Sequence, residues 1–118
     1  MKKTLLIYPS VVCYGSGIVR PNLPIGLMYL SAYLKKNNVE VGLLDALAEG
    51  GDRQIRKKVG VKYGLSDGEI KKRIVSFKPS VVGISTMFTA YYDDSIKLAK
   101  LIKKIDKKIL VVMGGSHV

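Results

Sequence analysis

At 118 residues, 47% of them hydrophobic and 25% charged, the chain suits one small folded domain and is too apolar for a disordered one. Its formal net charge of +11 is carried mostly by lysine, and it holds a single cysteine, Cys13, and a single histidine, His117. One cysteine excludes an intramolecular disulfide and a Cys-only zinc or iron–sulfur site within this chain, and one histidine excludes a His-rich metal centre.

The longest apolar run is far too short to span a bilayer. Residues 1–9 faintly imitate a signal peptide, but the apolar part is only a few residues long and no small-residue cleavage site follows. The segment reads as a first strand, no membrane partner is expected, and the expected compartment is the cytoplasm. The charge comes from pairs such as Lys35-Lys36, Lys57-Lys58, Lys71-Lys72, Lys103-Lys104 and Lys107-Lys108. They are spread along the chain, without an arginine-rich stripe or a nucleic-acid motif, so they read as a solvated surface and no nucleic-acid partner is expected.

In chain order, residues 4–8 (TLLIY) predict a strand ended by Pro9. A loop over 10–23 follows, punctuated by Gly15, Gly17 and Pro21. Pro24 suits a helix start, and a helix is predicted over 24–36. Ile25, Met28, Tyr29, Ala32 and Tyr33 form one apolar face, and Leu27, Leu30 and Leu34 widen it, which predicts a helix buried on most sides. Asn37-Asn38 ends it. A second strand is predicted over 39–44, ending at Asp45. In the ambiguous stretch 46–64, Ile55 and Val59 could face inward from a short helix begun near Asp52. Ser66-Asp67-Gly68-Glu69 is a capping box that opens a helix with Ile70, Ile74 and Phe77 as its stripe, stopped by Pro79.

The stretch 80–85 predicts the third strand. A helix over 90–105 follows, with Thr89 as a plausible cap, Leu98, Ala99, Ile102 and Ile105 inward, and Lys97, Lys100, Lys104 and Lys107 in water. Residues 109–113 make the fourth strand, followed by Gly114-Gly115. Strands that alternate with helices imply parallel pairing, and short apolar strands imply helices on both faces. The fold expected is α/β, a Rossmann-like parallel sheet in flavodoxin-like order, here with four strands. A doubly wound sheet normally continues beyond this point, so the chain is expected to be a fragment with an open edge at strand four, where a second copy could pair to form a homodimer.

Ligands of open parallel sheets bind beyond the carboxyl ends of the strands. Those ends here carry Ser85-Thr86-Met87-Phe88-Thr89 and Gly114-Gly115-Ser116-His117. Hydroxyls donate and accept hydrogen bonds, and paired glycines let a flat ligand approach the backbone. The plainer reading is a tight turn and a helix cap. Cys13 lacks an evident activating partner. His117 reads first as a surface histidine. Asp45 could bind a ribose hydroxyl, but Gly15-Ser16-Gly17-Ile18-Val19-Arg20 departs from the dinucleotide fingerprint at its last place.

The opening TLLIYPS, the run RPNLPIGLMYLSAYLKKN, the strand VEVGLLDA, the segment KPSVVGISTMFT and the ending ILVVMGGSHV together resemble the cobalamin-binding (B12) domain that precedes the radical SAM core in class B radical SAM enzymes. That group includes methyltransferases and the anaerobic magnesium-protoporphyrin monomethyl ester cyclase. Cobalamin domains of the methionine synthase kind carry Asp-x-His-x-x-Gly after strand one, Ser-x-Leu after strand three and Gly-Gly after strand four. This chain keeps Ser85-Thr86-Met87 and Gly114-Gly115; at the first landmark only Gly26 survives, and Leu23 stands in the histidine place. A similar pattern from Asp45 to Gly50 follows strand two, the wrong crossover.

The resemblance implies that residues 1–118 are the amino-terminal cobalamin-binding domain of a radical SAM, Fe-S oxidoreductase or methyltransferase. Cobalamin would sit with its dimethylbenzimidazole tail tucked into the sheet and without a protein histidine on cobalt. The implied contacts are Leu23, Gly26, Ser85, Thr86, Met87, Phe88, Gly114, Gly115 and Ser116, with no catalytic or metal-ligating residue. S-adenosylmethionine and a 4Fe-4S cluster would belong to a downstream domain, the partner in the same full-length chain. A Gly115→Leu change is expected to abolish corrinoid retention while the fold survives. The alternatives are a nucleotide- or flavin-binding α/β protein, or a vestigial domain of this type that serves protein interaction.

Overall fold

The computed structural model describes residues 3–13, 24–51, 54–56, 60–86 and 92–115. In chain order its elements are β1 (Lys3–Tyr8), β2 (Val11–Cys13), α1 (Ile25–Lys36), β3 (Glu40–Asp45), α2 (Ala46–Glu49), β4 (Gln54–Arg56), β5 (Val61–Tyr63), α3 (Asp67–Phe77), β6 (Val81–Ser85), α4 (Tyr92–Ile105) and β7 (Leu110–Gly114). The four apolar strands pair in parallel in the order β3-β1-β6-β7. This is the Rossmann-like α/β sheet expected, with the third sequence strand inside and the fourth at an edge.

Side chains alternate across a strand, so each strand feeds two layers. Leu5, Ile7, Leu44, Val82 and Ile84 lie on one face. There they pack with Ile70 and Ile74 of α3 and Leu98 and Ile102 of α4 into the main core. Each such side chain, fully buried, contributes roughly 1.5–3 kcal/mol. The helices that close this face form where the pattern predicts. Ser66 caps α3 by accepting from the Glu69 amide at 3.2 Å, and the Glu69 carboxylate accepts from the Ser66 amide at 3.2 Å, completing the capping box. Ala99 and Ile105 of α4 pack at the margin of the same core, and Lys97, Lys100 and Lys104 are exposed.

The opposite face is built differently. Leu6 and Tyr8 of β1 meet Val11, Leu27 of α1 and Leu47 of α2 in a smaller cluster. The expectation of an α1 buried on most sides is not met: only Leu27 and Ser31 are buried, and Tyr29 and Tyr33 are 76% and 65% exposed. The reason is the lack of a neighbour. α1 lies over β3 and β1, and no other described helix of comparable length covers that face. Its wide apolar surface therefore meets solvent, as do Leu110 and Val112 on β7.

The short helix expected near Asp52 is also replaced. Gln54–Arg56 is a strand, and β4 and β2 both pair antiparallel with β5 in a small second sheet, β2-β5-β4. Val59 lies outside the described residues. Glycines at 60 and 64 bracket VKY, a three-residue alternation that reads as a strand once β2 is there to receive it. Lys62, at its centre, is buried by its stem and ends in an ion pair of 2.6 Å with Asp67. Asp45 caps α2, its carboxylate accepting from the Ala48 amide at 3.0 Å. No described helix is long and apolar enough to cross a membrane.

Candidate functional site

The parallel strands put Tyr8, Asp45, Ser85 and Gly114 at one end of the sheet. Between that end and α1 lies an open-sided groove of about 240 Å³. Its floor is Leu6, Gly83, Ser85, Val112 and Gly114, and its wall is Gly26, Leu27 and Leu30 of α1. The groove exists because two walls lack side chains: a β-carbon built on Gly26 or on Gly114 meets no atom within 4 Å. At Gly83 it would meet only the flexible end of Leu6, at 2.9 Å.

Gly115 does other work. Its φ is +114°, a region that favours glycine. A β-carbon there would stand 2.5 Å from the Thr86 carbonyl oxygen, and the Thr86 amide donates to the Gly114 carbonyl at 2.7 Å. These contacts tie β6 and β7 together one step past the strands. Gly115→Leu would therefore break a backbone turn as well as fill the groove, so the expectation that the fold survives that change is corrected. Gly114 is the position that tests the groove alone.

Strand parity separates the two hydroxyls at the tip of β6. Ser85 lines the groove. Thr86 is buried on the α4 side, where its hydroxyl donates to Ser95 Oγ at 2.9 Å. Of the expected contacts, Gly26, Ser85, Gly114 and Gly115 meet at the groove, whereas the Thr86 hydroxyl points to the other layer. Leu23, Met87, Phe88 and Ser116 lie outside the described residues, as do Thr89 and His117. Sequence reasoning missed Leu6, Leu27, Leu30, Gly83 and Val112 as lining. Period-two parity from Ser85 and Gly114, and the i+4 step from Gly26, would have found Gly83, Val112 and Leu30.

No acid or base lines the groove among the described residues; what it could offer a ligand is shape, apolar surface, the Ser85 hydroxyl and backbone. The two perturbed carboxylates lie outside its lining. Burial raises the pKa of Asp45 above its ordinary value, against the Ala48 amide that favours its charge. Burial also raises Asp94, which accepts from the Val12 amide at 3.3 Å. No group of three or more His, Cys, Asp or Glu able to hold a metal occurs among the described residues.

Comparison with known proteins supplies the context. Residues 18–118 match the model of the B12 binding domain. The chain is 36% identical, over 98% of its length, to cytidylyl-2-hydroxyethylphosphonate methyltransferase of Streptomyces wedmorensis, covering 22% of that protein. It is 31% identical over its whole length to an uncharacterised methyltransferase of Pyrococcus horikoshii, covering 22% of it. To the anaerobic magnesium-protoporphyrin IX monomethyl ester cyclase of Rubrivivax gelatinosus it is 26% identical over 98% of its length, covering 18%. The chain thus spans about a fifth of the length of the curated relatives it matches. No solved structure matches it.

Proposed function

This chain belongs to the B12-binding domain family, and from that premise we propose that it is the corrinoid-holding part of a longer radical SAM, iron–sulfur enzyme, an oxidoreductase or methyltransferase. The observation that carries the reading is the groove that Gly26 and Gly114 leave open at the carboxyl end of the sheet. An apolar cavity of about 150 Å³ takes a benzene ring. A groove of 240 Å³ therefore suits a two-ring aromatic such as the dimethylbenzimidazole tail, and leaves the much larger corrin outside, against the strand tips.

In this reading Leu6, Leu27 and Val112 supply apolar contact to the flat group, Ser85 supplies a hydroxyl, and Gly26 and Gly114 admit it. Gly115 and the Thr86 amide fix the turn that shapes the floor. Leu23, where the family pattern has histidine, has no lone pair for cobalt, so the chain holds the corrinoid without a protein histidine ligand at that place. Leu23, Met87, Phe88 and Ser116 flank the groove in sequence and complete the proposed contact set. Bound cobalamin supplies cobalt-centred methyl-transfer or redox chemistry, while S-adenosylmethionine and the 4Fe-4S cluster belong to the downstream domain of the full protein. The low cysteine content fits a cytoplasmic protein. The outer edge of β7 has no strand partner among the described residues and would accept a second copy.

The test is retention. The protein is mixed with hydroxocobalamin, desalted, and its visible spectrum recorded. Corrinoid absorbance should stay with the wild type and be lost in Gly114→Leu, whose circular dichroism should be unchanged. Retention of a flavin or dinucleotide instead of corrinoid would favour the nucleotide-binding alternative. A wild type that retains none of these would favour a vestigial domain that serves protein interaction.

A further inference from the structure

The lysines that look scattered in the sequence are gathered in space. Every helix that crosses between parallel strands runs back toward the amino ends of the strands, so α1, α3 and α4 all finish at the pole opposite the groove. Lys35 and Lys36 end α1, and Lys103 and Lys104 end α4. Lys78 follows α3, Lys107 and Lys108 form the turn into β7, and Lys3 opens β1. Eight lysines thus share this pole with two carboxylates, Glu40 and Asp106. Glu40 pairs with Lys3 at 3.3 Å, and Asp106 accepts from the Lys108 amide at 2.9 Å. The other six described carboxylates all belong to the groove half or to the first turns of helices that begin there.

Helix dipoles account for cations in the last turns of α1 and α4. They do not account for Lys107 and Lys108, which lie beyond the end of α4. Lys78 holds a left-handed φ of +55°, at a helix cap where glycine or asparagine is the unstrained choice. Lys35, Lys36, Lys78, Lys104, Lys107 and Lys108 are exposed and make no ion pair among the described residues.

We propose that this amino-end pole is a docking surface for an acidic protein segment. Its chemistry favours a carboxylate-rich polypeptide over nucleic acid. The pole segments carry no arginine, so the fork that matches phosphate is missing. The exposed rings Tyr33 and Tyr29 lie one and two turns back along α1, on a line that leads away from the pole, so the pole lysines themselves are not interleaved with a stacking track for bases. The whole molecule measures only 44 × 28 × 24 Å, so lysines gathered at one pole lie within a few Debye lengths of one another, about 8 Å each at physiological salt. The surface lies at the opposite end of the strands from the groove and stands independently of what the groove binds.

The experiment measures fluorescent poly-L-glutamate binding by anisotropy at low and physiological salt, beside a deoxythymidine oligonucleotide of equal charge. A pole variant carrying Lys104→Glu, Lys107→Glu and Lys108→Glu is compared with an equally charged control carrying Lys71→Glu, Lys72→Glu and Lys97→Glu. The corresponding glutamine triples serve if the glutamate variants do not fold. The wild type should bind poly-glutamate in a salt-dependent manner, and the pole variant should bind about tenfold or more weakly while the control changes little. Equal losses in both variants, no wild-type binding of poly-glutamate, or tighter binding of the oligonucleotide would each overturn the proposal.

Discussion

The two faces of the sheet use the same strands and reach opposite ends. One is closed by two helices whose apolar stripes match their neighbours, so that Val82, Ile84 and Ile102 are almost wholly removed from water. The other is covered over β3 and β1 by α1 and left open over β7, where Val112 is 49% and Leu110 58% exposed. The closed face supplies stability. The open face supplies the groove, because binding room exists only where packing stops.

The strongest test of this division is truncation on each side. Ile102→Ala should destabilise the protein by roughly 2–5 kcal/mol, since the site is fully buried and cannot collapse onto solvent. Val112→Ala, in the groove floor, should cost no more than about 0.5 kcal/mol. Urea midpoints at neutral pH compare them. Similar losses at both positions would mean that the open face carries core energy after all.

A smaller effect separates the two glycines after β7. Gly115→Ala forces a β-carbon against the Thr86 carbonyl in a left-handed conformation, and should cost about 1–3 kcal/mol. Gly114→Ala points into open groove and should shift stability by less than about 0.5 kcal/mol. Thermal melts of both variants decide it. If the two behave alike, the turn is not what holds β6 and β7 together at their tips.

The sequence made the closed face easy to read and the open one hard. Ser66 with Glu69, and the spacing of Ile70, Ile74, Leu98 and Ile102, are local signals that the packing then satisfies. α1 misled because its apolar residues are real, but their burial depends on a neighbour that periodicity does not register. β4 and β5 escaped because three-residue strands draw their definition from pairing, and their partner β2 sits some fifty residues away inside an apparent loop. The groove was half legible: Ser85 and Gly114 stand out at strand ends, whereas Leu6 and Leu27 reveal themselves only when strand and helix are laid together. The separate duties of Gly114 and Gly115 depend on φ, which a Gly-Gly pair does not disclose.

The smallest expected effect concerns the link between the two sides. Asp94, in the first turn of α4 on the closed face, accepts from the amide of Val12 in the small second sheet. Burial raises its pKa above the ordinary 3.8, with Asp93 adding to the rise and the Val12 amide, Lys97 and Lys62 opposing it. The folded state therefore binds this proton more tightly than the unfolded chain does. Stability contributed by Asp94 is lower when it is ionised, and it rises as pH falls through the raised folded value, levelling below 3.8. Asp94→Asn keeps an oxygen for the Val12 amide and removes the titration. Relative to that variant, the wild type should gain stability between pH 7 and pH about 4. The comparison cancels the general acid destabilisation of so basic a chain. Denaturant melts of the pair across that range read the difference directly. A wild type that instead loses ground to Asp94→Asn on acidification would show that the amide and the two lysines outweigh burial, and that the link between the faces is held by charge.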